Sequence, residues 1–371
     1  MFFYSLICFM KFISQLYKLR LLYNFFLFLA LINIFFSTDN SHAKTFSIND
    51  IEISTPFEIN FNKNEIIDKG FLKAFNELIF SIVQSKDQIK LKNTPINQIK
   101  GMIETFSIKE EKFIDEIYYL TLSVSFNKKN IFDLLESKNV FPSLPVKKNF
   151  LFIPVFVDQN KNQVSMFSED KLFSSWNVNN KKYSLLNYIL PTQDLDDFSL
   201  IKKNINNLET YDFKEIINKY NMDDHIIMIV FKNNNKIRVF NKILFNEKYN
   251  LKNLNFSEVN IYNEEELFKF IDNLKLVYED FWKSQNEINT SVKLSLNISI
   301  NNSNNIKLNK FEKILSNMDL IYNFYIYKFD NKNNFYKVIF NGTPDKFLEV
   351  MRDKNYNFEI ENKIWVINDK S

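Results

Sequence analysis

Eight apolar residues in a row, Phe150-Leu151-Phe152-Ile153-Pro154-Val155-Phe156-Val157, set the terms for the middle of this chain. The run is too short to cross a membrane. It does not alternate, so it predicts a strand buried on both faces, the kind found in parallel sheets covered by helices. Asp158 ends it. A second run, Tyr188-Ile189-Leu190-Pro191, leads into the acidic turn Thr192-Gln193-Asp194-Leu195-Asp196-Asp197. Together they predict a parallel α/β core with loops at the strands' carboxyl ends, where such sheets bind ligands.

The flanking periodicities predict two further units. Phe46–Ile59 alternates as an edge strand. Asn64 precedes a helical face made by Ile67, Phe71, Ala74, Phe75, Leu78, Ile79 and Ile82. A short helix over Ile96–Ile103, a hairpin from Thr105–Lys112 and Ile114–Phe126, and a helix over Ile131–Ser137 complete a β-α-β-β-α layer of α+β type. Beyond Lys293 the order is strand, helix, hairpin, helix and strand, a ferredoxin-like β-α-β-β-α-β unit in which Thr343-Pro344 starts the second helix. The α/β and α+β units divide the chain at 44–147, 148–287 and 292–371. The proline-rich Phe141–Pro145 and the link Glu287–Ser291 predict exposed joints.

Within the central unit, the pattern predicts a helical turn at Glu169–Trp176, a strand at Tyr183–Leu190, and helices at Phe198–Asn206 and Phe213–Tyr220. A core strand at Ile226–Phe231 pairs with Lys236–Asn246, and Val259–Ile261 is a short strand. Asn263-Glu264-Glu265-Glu266 caps a long helix whose buried positions are Leu267, Phe270, Ile271, Leu274, Val277, Tyr278 and Phe281.

Residues 1–43 have the order of an export signal: the basic Lys11, Lys18 and Arg20, the apolar Phe25–Phe36, then Ser41-His42-Ala43 with cleavage before Lys44. Met10 is an alternative start to Met1. The alternative to cleavage is an N-terminal anchor that holds the body at the inner membrane. Without Lys11, Lys18, Arg20 and Asp39, the net charge of +3 becomes +1 for the body, and no basic cluster offers a nucleic-acid footprint.

The chemistry-bearing residues are few. The single Cys8 and the two histidines, His42 and His225, leave the body without a thiol and with one imidazole. Disulfides, cysteine-rich zinc sites and thiol nucleophiles are excluded there. Gly70, Gly101 and Gly342 lie too far apart for a P-loop or a dinucleotide fingerprint. No cofactor is expected. The candidate binding residues are Asp158, Trp176, Asp194, Asp196 and Asp197. The acidic turn either caps the next helix or helps to hold a divalent cation. His225, after Asp223-Asp224, is either bonded locally at a strand start or oriented for catalysis.

The stretches Leu151–Val155, Met166–Trp176 and Leu190–Asp197, with the upstream unit running from Lys109 to Leu135, resemble the bacterial domain-of-unknown-function family numbered 2066. Phe167 and Phe173 stand where that family tends to have tryptophan, and Gln193 where it usually has glycine. The resemblance implies an exported envelope protein and carries no activity with it. The order of units also looks like that of envelope accessory proteins with a TolB-N-like middle domain, an analogy of fold alone. The reading that follows is a periplasmic, non-catalytic binding or assembly module with an envelope protein as partner. Its rival is a metal-assisted hydrolase using Asp158, Asp194, Asp196, Asp197 and His225.

Overall fold

The computed structural model describes residues 45–367, apart from 59, 60, 168, 169 and 258. The leader, the Ala43–Lys44 cleavage position and the alternative starts lie outside the described residues. Those described form a mixed α/β fold with three sheets and ten helices. None of these helices is long and apolar enough to cross a membrane.

The first sheet is built from β1 (Thr45–Pro56), α1 (Lys63–Ile82), α2 (Ser85–Gln88), α3 (Ile96–Met102), β2 (Ile103–Ile114), β3 (Ile117–Asn127) and α4 (Lys128–Ser137). The strand order is β1-β3-β2, all antiparallel. The cap of α1 is Asn62 rather than Asn64, its side chain accepting from the Asn64 N–H. Gly70 brings α1 tight onto the sheet: a Cβ there would stand 2.3 Å from Leu122 Cδ1 and 2.7 Å from Ile53 Cδ1. The hairpin turns at Asp115-Glu116, both left-handed at φ 48° and 62°, so β2 runs through Ile114 and β3 starts at Ile117.

The central sheet contains β4 (Lys148–Asp158), β5 (Gln163–Ser165), β6 (Leu186–Ile189), β7 (His225–Asn233), β8 (Lys236–Phe245) and β9 (Lys248–Ser257). Strand β4 lies parallel to both β6 and β7, and β8 and β9 add antiparallel strands beyond β7. The apolar run is buried on both faces. Phe150, Phe152 and Phe156 face one core, and Leu151, Ile153, Val155 and Val157 face the other. The first is covered by α5 (Lys171–Ser175) and the long α8 (Glu264–Gln285), the second by α6 (Leu195–Lys203) and α7 (Lys214–Ile217). Pro154 is tolerated mid-sheet because of where its nitrogen points. Leu151 and Gln159 donate to the β7 side, so alternation turns residue 154 the other way. There β6 ends at Leu151 and β5 begins at Phe156, and no ladder bond is lost.

Two central expectations are corrected. Strand β9 occupies Lys248–Ser257, which had no place in the predicted order, and the predicted strand Val259–Ile261 is irregular, passing into a turn at Ile261–Tyr262. The intervening turn is Asn246-Glu247, again left-handed at φ 48° and 63°. In the third sheet, order β11-β12-β10-β14-β13, the last stretch is a hairpin instead of one strand. It comprises β10 (Lys293–Asn301), α9 (Asn305–Asn317), β11 (Ile321–Phe329), β12 (Asn333–Asn341), α10 (Pro344–Arg352), β13 (Phe358–Glu361) and β14 (Ile364–Ile367). Left-handed Asn362 and Lys363 reverse the chain, so that β14 joins β10 in parallel.

The predicted joints are bonded to each other, while Phe141, Pro145, Glu287, Asn289 and Ser291 are exposed. Ser143 and Glu287 form a β-bridge, Ile288 N–H donates to Pro142 O at 2.7 Å, and Ser143 N–H donates to Ile82 O at 2.7 Å. The described residues all belong to one compact unit. The last full turns of α8 fasten it. Glu279 Oε1 accepts from Leu185 and Leu186 N–H at 2.9 and 3.0 Å, and Asp280 Oδ1 from Ser85 N–H at 2.8 Å. Trp282 Nε1 donates to Val146 O at 2.7 Å, and Lys283 Nζ to the carbonyls of Phe80 and Val83 at 2.5 and 3.1 Å. Replacing Lys283 by Met keeps the stem and strands those carbonyls, so Lys283→Met is expected to lower unfolding free energy by about 1–3 kcal/mol. Urea denaturation checks this, and an unchanged midpoint would contradict it.

Candidate binding site

Asp194, extended at φ −142°, is the N-cap of α6, which starts at Leu195 rather than at Phe198. Its Oδ1 accepts from the N–H groups of Asp196 and Asp197 at 2.8 and 3.3 Å. Lys219 then enters the turn, its ammonium 2.7 Å from Asp194 Oδ2 and 2.6 Å from Asp197 Oδ1. Hydrogen bonding to Lys219, with the two backbone N–H groups, holds the Asp194 carboxyl below its usual value. The same two carboxylates push Lys219 up. The acidic turn therefore carries its own cation, supplied by a lysine at the place where a divalent ion would need open oxygens.

The other predicted residues are placed apart. Asp158 Oδ1 accepts from Asn160 and Lys161 N–H at 3.1 and 3.2 Å, closing the turn after β4, with Lys232 Nζ 3.7 Å from Oδ2. Among the described residues no three acidic, His or Cys side chains group as metal ligands would. Trp176 is fully buried, stacked 4.1 Å from Phe152 and edge-on to Tyr188. Its rings pack a core and offer no face to a ligand.

A pocket of about 550 Å³ does lie at the carboxyl ends of β4 and β7, where the topology places ligands. Val157, Gln159, Glu209, Thr210, Phe231 and Arg238 line it. Arg238 is the chemically distinctive member. Its guanidinium sits 4.3 Å above the Phe231 ring, with Nη2 2.6 Å from Glu209 Oε1 and Nη1 3.2 Å from Asn253 Oδ1. A flat, fixed fork of this kind suits carboxylates and other planar acceptors. Sequence reasoning passed over Arg238, although a signal existed: it is one of three arginines among 47 basic residues.

At the opposite end of β7 a groove of about 720 Å³ is lined by residues that include Asp224, His225, Asn246 and Tyr249. His225 is buried, with Nδ1 2.9 Å from Asp223 O, and Asp223 and Asp224 provide no catalytic contact to the ring. Burial pushes its pKa below the ordinary 6.5. The neutral ring is thus favoured by folding, and the stability it contributes is present above pH 6.5 and lost as pH falls below it. The wild-type melting temperature should drop between pH 7 and 5, with a shallower drop in His225→Gln. Calorimetry across that range checks this, and parallel pH profiles would contradict it.

No family model and no curated protein matches the chain. Among solved structures it is similar to one titled "Crystal structure of uncharacterized protein", at 7% identity over 38% of this chain and 95% of that one, with a TM-score of 0.16. That likeness carries no argument about function.

Proposed function

We propose that this chain is an exported, periplasmic binding or assembly module of the cell envelope that works without catalysis and meets an envelope protein partner. The observation that carries the non-catalytic part is Lys219, placed between Asp194 and Asp197. Of the carboxylates proposed for metal-assisted hydrolysis, Asp194 caps a helix, and Asp194 and Asp197 both pair with Lys219. The pocket at Arg238 supplies a planar guanidinium held by Glu209 and Asn253. The signal-like order of residues 1–43 and the resemblance to family 2066 support the envelope location.

The test is thermal melting of protein isolated from an envelope fraction, in EDTA, Mg²⁺ and Ca²⁺, wild type beside Asp194→Asn. No metal-dependent shift is expected. Mass spectrometry of the same preparation should give an N-terminus at Lys44. A metal-induced rise lost in Asp194→Asn would overturn the non-catalytic reading, since occupancy at a hundredfold excess over the dissociation constant stabilises by about 2.7 kcal/mol. An N-terminus at Met1 or Met10 would overturn cleavage.

A further inference from the structure

Strand β2 is exposed along its whole length, with only Ile103 half-buried, and it forms a free edge of its sheet. Its register sets Phe106, Ile108, Glu111 and Phe113 opposite Val124, Leu122, Leu120 and Tyr118, all buried. Those four residues therefore share the core face of the sheet. Helix α1 packs over β1 and β3 and leaves that face of β2 largely uncovered. Phe106 leans on Phe71 and Phe113 on Phe57, yet they remain 49% and 57% exposed. An apolar strip on an unpaired edge marks an interaction surface.

The order of residues along this edge says which partner fits. Phe106-Ser107-Ile108-Lys109 is followed by Glu110-Glu111-Lys112-Phe113. A two-fold axis between Lys109 and Glu110 sets Lys109 opposite Glu110 of the second copy, and Phe106 opposite its Phe113. Ser107 then meets Lys112, and Ile108 meets Glu111. In a regular strand, residues matched this way would point to opposite faces. The register shift between Ile108 and Glu110 changes the alternation, so each matched pair falls on one face. Opposite charges and aromatics then pair directly across the strands.

The other long edges do not match themselves in this way; β1, across the same sheet, carries only the acidic Asp50 and Glu52. Strand β9 carries Lys248 and Lys252 as its only charges, and β13 carries Glu359 and Glu361. Strand β11 has one charge, Lys328, and so no opposite pair to set across an axis. Within one chain, Lys109 pairs with Asp50 and Lys112 with Glu110, both on the surface. Exposed pairs of that kind contribute little and can exchange partners.

We propose that β2 is the surface through which two copies of this chain pair, antiparallel and isologous, into a continuous sheet of order β1-β3-β2-β2-β3-β1. The proposal is independent of the envelope and metal readings, and a metal response would leave it standing. Sedimentation equilibrium of the full chain over the micromolar range tests it. The wild type should dimerise. Glu110→Lys sets like charges beside the axis and should weaken the dimer by about tenfold, because symmetry counts each change twice. Lys109→Glu combined with Glu110→Lys exchanges the charges and should restore pairing. Tyr325→Lys, on the β11 edge, should leave it unchanged. A monomer throughout, a dimer indifferent to Glu110→Lys, or dissociation by Tyr325→Lys would each overturn the proposal.

Discussion

The C-terminal turns of α8 make the contact on which the rest of the molecule depends. Between Glu279 and Lys283, four side chains bond four different segments: the start of β6, the start of α2, the segment leading into β4, and the end of α1. Lys283 is almost wholly buried, and it directs its charge to the carbonyl end of α1, where a cation is favoured. Burial pushes Lys283 down and Glu279 up from their ordinary values. The pair is thus held at some electrostatic cost. In return, the partners' backbone groups are satisfied where water cannot reach them. Separating the first sheet from the central one would strand the Ser85 amide and the Phe80 and Val83 carbonyls together.

A second seam ties the third sheet to the first. Lys128 pairs with Asp319, Lys293 Nζ lies 3.0 Å from Glu136 Oε2, and Tyr322 receives the Lys293 ammonium over its ring at 4.6 Å. The Lys293–Glu136 pair is more exposed than the α8 turn, and exposed pairs of this kind are individually weak. The two seams explain why chain joints that look like linkers in sequence are structured. Pro142 and Ile288 meet each other between them.

Much of the fold was legible because periodicity survives in this composition. The apolar run of β4, the helical face of α1, the Asn263 cap of α8 and the Thr343-Pro344 start of α10 all follow from residue spacing alone. The reversals were harder. With three glycines in the chain, left-handed turn positions fall to Asp115-Glu116, Asn246-Glu247 and Asn362-Lys363, none of which carries the Asn-Gly signal of a tight hairpin. Strand β9 and the β13–β14 hairpin were hidden for that reason. At the candidate site, the capping role of Asp194 was readable as one of two alternatives. The part of Lys219 was not, because it arrives from 25 residues away. Arg238 depends on a stack with Phe231 across neighbouring strands, which no local pattern encodes.

Native-state hydrogen exchange tests most directly whether the α8 turn makes the first and central sheets one cooperative structure. The amides to follow are Ser85, which donates to α8, and Ser143 and Ile288 at the paired joints. The account predicts that these amides open with the same free energy as the core amides of β3 and β4, because the seam breaks only on global unfolding. Exchange of the seam amides at clearly lower free energy, while β3 and β4 stay protected, would show the sheets separating first and would contradict it.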